Sequence, residues 1–277
     1  MSALRLKTLL GDYPVTEALK QGRVATGALA FDFADVKVPH TAFKRVVREL
    51  EFDVAELAIV TFLLAKAHGK PLKLLPTVIT ARFQHPFIVY NAGRGQLAPS
   101  DLQGRRVGQR SYSVTTATWI RGILAEDYGV DLAKVRWVTF EEPHVAEFRD
   151  PPNVERAPAG KDVTAMLLAG ELDAAIVGEP PRDPRVKTLF ADPAAAGEAW
   201  KKKRGAIQIN HMVAVRQDLD CADEVYRLLG ESRRTAGNPP GNPFGVEENR
   251  RNLEAAIDCA HRQKMIPHRF SVEELLR

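Results

Sequence analysis

The sequence predicts an α/β protein of two lobes joined by two extended crossing segments. Three observations predict it. Apolar spacing switches repeatedly between a period of two and a period near 3.6 over 277 residues, enough chain for two lobes of ordinary domain size. Strand and helix alternate in the first seventy residues and again after residue 104, the order that gives parallel sheets with helices on their faces. Extended runs over 73–91 and 207–215 separate these sets and serve as the crossings. The expected division is residues 1–90 with 208–277 as one lobe and 91–207 as the other.

Leu4–Leu10 alternates as a strand should and delivers Gly11-Asp12-Tyr13-Pro14 as a loop. A short helix over Thr16–Gln21, a strand within Val24–Val36 and a helix over Thr41–Leu50 follow, the last with Phe43, Val46, Val47 and Leu50 on one face. Phe52–Leu57 is a short strand feeding a further helix. Lys73–Arg82 is extended, and after Gln84-His85-Pro86 the chain stays extended through Phe87–Asn91. The second set comprises strands at Arg105–Gly108, Val135–Phe140 and Asp173–Val177, with helices at Val114–Tyr128 and Asp162–Ala169. A last strand over Val186–Phe190, a helix over Ala194–Arg204 and the extended run Ile207–Val215 lead to a helical C-terminal region over Ala222–Thr235, Val246–Lys264 and Val272–Arg277. The Gly- and Pro-rich stretch Gly237–Gly245 interrupts it as a loop.

The central stretch, Gly104–Leu124, reads as strand, hydroxyl-rich loop and helix, with Val114, Ala117, Ile120 and Leu124 at helical spacing and Gly129 as the left-handed stop. Ser111, Ser113, Thr115 and Thr116 cluster where the first backbone N–H groups of that helix have no internal partner. Such an end attracts an anion, a carboxylate or a phosphate; alternatively one hydroxyl caps the helix and the rest are solvated. Ligands of open α/β sheets bind outside the carboxyl ends of the strands, here the expected cleft between lobes.

Composition narrows the classes. The apolar fraction of 45% and charged fraction of 27% are those of a soluble globular chain, and a net charge of +4 hints at a small anionic ligand. No basic tract is interleaved with aromatics, which argues against nucleic acid; Lys201-Lys202-Lys203-Arg204 reads as the solvated last turn of a helix. Leu57–Ala67, the most apolar run, is too short to span a bilayer, and the N-terminus carries Arg5 and Lys7 with no secretory stretch, so a cytoplasmic protein is expected. Cys221 and Cys259 have no metal-type spacing and read as reduced thiols.

Several runs together resemble the 4,5-dihydroxyphthalate decarboxylase family. They are Phe52-Asp53-Val54-Ala55-Glu56, Arg82-Phe83 with His85, Val107-Gly108, Trp119–Leu124, Asp127–Val130, Glu141–His144, Asp150–Asn153 and Gly170–Ala175. The family is itself similar to type II periplasmic solute-binding proteins. The resemblance implies a Venus-flytrap fold and a lyase that releases CO2 from a dihydroxybenzene dicarboxylate, a small anionic aromatic substrate. The first loop departs from the family pattern, in which a Trp precedes Asp-Tyr: here the run is Leu10-Gly11-Asp12-Tyr13, a change that bears on the substrate.

Such chemistry needs an acid, a base and a carboxylate clamp, because direct loss of CO2 from an aromatic ring would leave an aryl anion. His85 and His211, on the two crossing segments, are the expected proton carriers. Arg82 is the expected clamp through its planar fork, with Asp12, Ser113, Thr115 and Thr116 as further substrate contacts. Glu142, the third expected catalytic residue, and His144, expected to bind substrate, follow a strand on the loop Glu141-Glu142-Pro143-His144; a solvated acidic loop is the bland reading of that run. No cofactor is required, although His85, His144 and His211 with Glu56 or Glu142 would make a divalent-metal set of no diagnostic spacing. Arg121, two turns inside its helix, covers apolar surface or pairs with an acid. The rival reading is a solute-binding protein without catalysis, disfavoured by the lack of an export signal. Oligomeric state stays open, a homo-oligomer included.

Overall fold

The computed structural model describes residues 3–277. The chain divides into two compact units. The first holds the chain up to Arg82, then Ile209–His261 and Ile266–Arg277; the second holds Phe83–Gln208 and Arg262–Met265. The first boundary falls earlier than residue 90 because Ile88–Asn91 pairs inside the second sheet.

The first unit contains β1 (Leu4–Leu9), α1 (Pro14–Lys20), β2 (Leu29–Phe33), β3 (Val54–Ala58), α2 (Ile59–Ala67) and β4 (Leu72–Ala81). The second contains β5 (Ile88–Asn91), β6 (Arg106–Gln109), α3 (Thr115–Tyr128), β7 (Arg136–Thr139), β8 (Val154–Arg156), α4 (Val163–Ala169), β9 (Ala174–Ile176), β10 (Val186–Thr188) and α5 (Pro193–Arg204). The chain then returns through β11 (Ile209–Arg216), α6 (Ala222–Thr235), α7 (Val246–Arg262) and α8 (Val272–Leu275).

In the first sheet the order is β2-β1-β3-β11-β4. β1, β2 and β3 run parallel, as alternating strands and helices require, but β11 is antiparallel to both neighbours. The sheet is therefore mixed, where the sequence pattern alone implies a parallel one: β11 arrives from the second unit and not through a crossover helix. Its core joins Leu6, Leu10, Val54, Ile79 and Val213 to Val225 and Leu229 of α6. The second sheet, β10-β5-β9-β6-β7-β8, is mixed in the same way, with β6, β7, β8 and β9 parallel and β5 antiparallel to β9 and β10. Val89, Val138, Leu167 and Leu172 lie in its core.

Two expectations change. Residues 41–50 do not form an α-helix: a 3-10 turn over Pro39–Ala42 passes into a π-helical turn over Arg45–Glu49, ended by Leu50 at φ 50°. Phe43, Val46 and Val47 are buried as the pattern requires, because spacings of three and four fit either kind of turn. β8 was not expected; only three residues long, it adds to β7 after the Asp150–Asn153 run.

Candidate functional site

The most chemically loaded place in the first unit is a buried carboxylate. β3 is buried at all five positions, and Glu56 at its centre is 0% exposed. An ionised carboxylate there is tolerated only when its lone pairs are filled. Three groups fill them. Gly11 N–H donates to Oε2 at 2.9 Å, Tyr13 O–H donates to Oε1 at 2.8 Å, and His211 Nδ1 lies 2.6 Å from the same Oε1. A carboxylate oxygen can only accept, so His211 Nδ1–H is the donor of this bond, and in the neutral ring Nε2 is the nitrogen with the lone pair.

The sheet register makes this meeting unavoidable. On β11, Val213 stands opposite Glu56 and His211 opposite Ala58, so His211 shares the face of Glu56 on the diagonal, within reach of a long side chain. Register shifts between β11 and β4 at Ile209, His211 and Met212 bend the strand at this point, as bulges beside functional groups do. Phe43 packs edge-on against the His211 ring at 5.3 Å, leaving the side chain 19% exposed. The loop after β1 is fixed by Thr16, whose hydroxyl donates to Gly11 C=O at 2.7 Å and accepts from Tyr13 N–H at 3.1 Å. Gly11 and Tyr13 follow the carboxyl end of β1, Glu56 lies near the carboxyl end of β3, and His211 near the amino end of the antiparallel β11. All therefore gather at the edge where open α/β sheets bind ligands.

Asp12, on the same loop, does not join them: it pairs with Lys20 and its side chain is 85% exposed. With Tyr13, Glu17 and Lys20 it lines an open recess of about 380 Å³. Arg82 is exposed and follows the last residue of β4.

In the second unit the expected residues gather at the carboxyl ends of β6 and β7. Ser113 and Thr115 are buried and Thr116 half-buried where α3 begins, and the N-cap position is Val114, which has no side-chain oxygen to cap the first amides. Ser111 Oγ and Ser113 Oγ lie 3.4 Å apart. Past β7, Glu142 is exposed and His144 buried. The alternative, one capping hydroxyl with the rest solvated, loses its second half, because Ser111, Ser113 and Thr115 are all buried.

His85 is placed differently from the role expected of it. It opens a 3-10 turn, is 2% exposed, and packs edge-on against Phe190 at 5.2 Å with Nδ1 buried and unpartnered. Burial lowers its proton affinity from 6.5 to about 4 against a weaker opposing pull from Asp127, which makes the neutral ring the favoured form at neutral pH. The unfolded chain takes this proton near pH 6.5 and the folded chain only near 4. Stability is full above the upper value and is lost as pH falls through that window, by on the order of 3 kcal/mol in all. Urea unfolding at pH 7 and pH 4.5 should show a smaller difference in His85→Gln than in the parent, by about 2–3 kcal/mol; an unchanged difference would place the acid sensitivity elsewhere.

Arg121 does not cover apolar surface: it turns inward, is 0% exposed, and its charge acts on the Asp150 carboxyl. Its guanidinium donates to Gln109 Oε1 at 2.8 Å and Gln263 Oε1 at 2.9 Å and lies 3.7 Å from the Tyr112 ring centroid. Among the described residues, no three His, Cys, Asp or Glu side chains are grouped as a metal ion would need. Nor is any described helix long and apolar enough to cross a membrane.

Sequence reasoning missed Tyr13 and weighed Glu56 only as a metal donor. The signal was present: one carboxylate inside the apolar run Val54–Leu64 must be buried, and a buried carboxylate demands donors.

No family model matches the chain. The 4,5-dihydroxyphthalate decarboxylase of Comamonas testosteroni is 31% identical over 232 residues, covering 79% of this chain and 70% of that protein. The protein of the same name from Pseudomonas putida is 30% identical over 213 residues, covering 72% and 82%. Among solved structures, the alkanesulfonate-binding protein SsuA from Xanthomonas axonopodis pv. citri, bound to MOPS, superposes with a TM-score of 0.64 at 14% identity over 99% of this chain and 98% of that one. The periplasmic aliphatic sulphonate-binding protein SsuA from Escherichia coli gives 0.61 at 12% identity over the same shares. At such identities the likeness is one of fold, that of periplasmic solute-binding proteins.

Proposed function

Because the chain belongs to the 4,5-dihydroxyphthalate decarboxylase family, a family of enzymes, we propose that it removes CO2 from a hydroxylated aromatic carboxylic acid of the 4,5-dihydroxyphthalate kind, leaving the corresponding hydroxybenzoate. The observation that carries the reading at the level of residues is the His211 imidazole held by the buried Glu56 carboxylate. This pairing favours an imidazole that takes a proton at Nε2, since the positive charge so formed lies against the carboxylate.

In this reading His211 Nε2 takes the proton of a ring hydroxyl para to the departing carboxylate. The electron pair released moves through the ring to the carbon bearing that carboxylate, which accepts a proton. The bond to the carboxylate then breaks, its electrons restore the aromatic ring, CO2 leaves, and the hydroxyl is reprotonated. One proton is consumed for each carboxylate lost as CO2. Delivery of the ring-carbon proton is assigned to His144, on the same loop after β7 as Glu142, and not to His85, whose burial lowers its proton affinity. Ser113, Thr115 and Thr116, with the first amides of α3, are assigned to one substrate carboxylate, and Arg82 to another.

The experiment is incubation of the protein with a panel of hydroxybenzoates and hydroxyphthalates, followed for CO2. Release is expected from members with a hydroxyl para to a carboxylate and none from the meta isomers. Calorimetric binding without CO2 from any member would point instead to a protein that captures an aromatic carboxylate without chemistry.

A further inference from the structure

We propose that Tyr13 sets the working pH range of His211 by sharing the Glu56 oxygen that His211 holds. The inference rests on the reading above, in which His211 accepts a proton. Glu56 Oε1 receives both the Tyr13 hydroxyl, at 2.8 Å, and His211 Nδ1, at 2.6 Å, while Oε2 receives Gly11 N–H at 2.9 Å. A carboxylate oxygen that already accepts a hydrogen bond stabilises a second donor less. The phenol therefore draws off part of the negative charge that would otherwise favour the imidazolium, and keeps His211 in its proton-accepting form to lower pH.

Two features show that the phenol is built into this position. Burial, and next the charge of Glu56, raise the proton affinity of the Tyr13 hydroxyl, so it remains a donor at neutral pH. Gly11 also leaves room for the ring: a Cβ there would stand 2.5 Å from Tyr13 Cε2 and 2.9 Å from Cζ. A side chain at position 11 must therefore displace the phenol while the Gly11 amide stays on the other oxygen.

Each element packed against His211 contributes a group to this balance. β3 supplies the Glu56 carboxylate and the loop after β1 supplies Tyr13. The segment after Pro39 supplies the uncharged Phe43 ring. β4, whose Thr80 pairs with His211, is followed by the cation Arg82. Asp12 acts on Tyr13 by charge alone.

The test compares the parent with Tyr13→Phe and Gly11→Ala. The His211 ring resonances are titrated by NMR, assigned through their loss in His211→Gln, and the pH–rate profile is recorded on the best substrate of the panel. In Tyr13→Phe the His211 titration should move to higher pH by on the order of one unit, and the acid limb of the rate profile should move with it. Gly11→Ala should move both in the same direction, although it retains the hydroxyl. An unmoved His211 titration in both variants overturns the proposal. The titration needs no turnover, so if no substrate loses CO2 the decarboxylase reading fails while the Tyr13 coupling is still decided. A moved titration with an unmoved rate profile overturns the assignment of Tyr13 to the reaction.

Discussion

His211→Gln should lower kcat by roughly 10²–10⁴ while leaving KM within a few-fold of the parent, because a proton acceptor works on the transition state and general acid–base catalysis is worth about that much. Glu56→Gln should be nearly as damaging by a different route. An amide can keep the shape, but its NH2 group cannot accept from His211 Nδ1–H. If the NH2 faces the imidazole, the ring proton is driven to Nε2, where the lone pair is needed. In His–carboxylate pairs that error alone costs about 10⁴ in turnover. The double variant should be little slower than the worse single one, since residues acting as a unit are not additive. Near-normal turnover of His211→Gln on the best substrate would remove this pair from the reaction. Glu142 and His144 would then be the first groups to test.

How far this was legible in the sequence depends on how local the cause is. α3 was fully legible: its apolar spacing, its hydroxyl-rich entry and its stop at Gly129 in the left-handed conformation are all set within twenty residues. The fold class was legible too, because strand and helix alternation is a statement about periods. The parallel sheets were not, since the direction of β11 depends on where the chain returns from, which no local pattern encodes. The turn at 39–49 lay between these cases: burial of Phe43, Val46 and Val47 follows from spacing, but the choice between α, 3-10 and π turns does not.

The candidate site divided in the same way. His211 was found by residue type and by its extended run, whereas its partner across the sheet required the register that puts Val213 opposite Glu56. Tyr13 required more still, a loop folded back onto β3 from 43 residues away. His85 depends on distant packing in the same way: its place beside a crossing suggests a proton carrier, and the contact with Phe190 that buries it and lowers its proton affinity is set by residues about a hundred positions on.

Arg121→Met should lower the unfolding free energy by roughly 2–5 kcal/mol, a large fraction of what holds an ordinary domain together. The side chain is fully buried, and its fork is the donor for two carboxamide oxygens, Gln109 and Gln263. Met fills most of the space but leaves the buried Gln109 oxygen, at a cost of about 1–3 kcal/mol, and the part-buried Gln263 oxygen without that donor, and removes a cation from the face of Tyr112. Arg121→Lys keeps the charge and should still lose much of the stability, because an ammonium cannot span two acceptors and stack on a ring at once. The loss should be local. Gln263 also donates to Thr118 C=O at 2.8 Å, and Met265 Sδ lies 3.5 Å from both Thr118 Oγ1 and Arg121, so this fork ties Arg262–Met265 to α3. Lys264, between those two contacts, holds φ at 57°, a conformation that turns both neighbours toward the arginine. Hydrogen exchange in Arg121→Met should therefore speed up first along α3 and over residues 262–265, before the first sheet opens. Denaturant unfolding within about 0.5 kcal/mol of the parent would mean that the buried guanidinium costs as much to desolvate as its hydrogen bonds return.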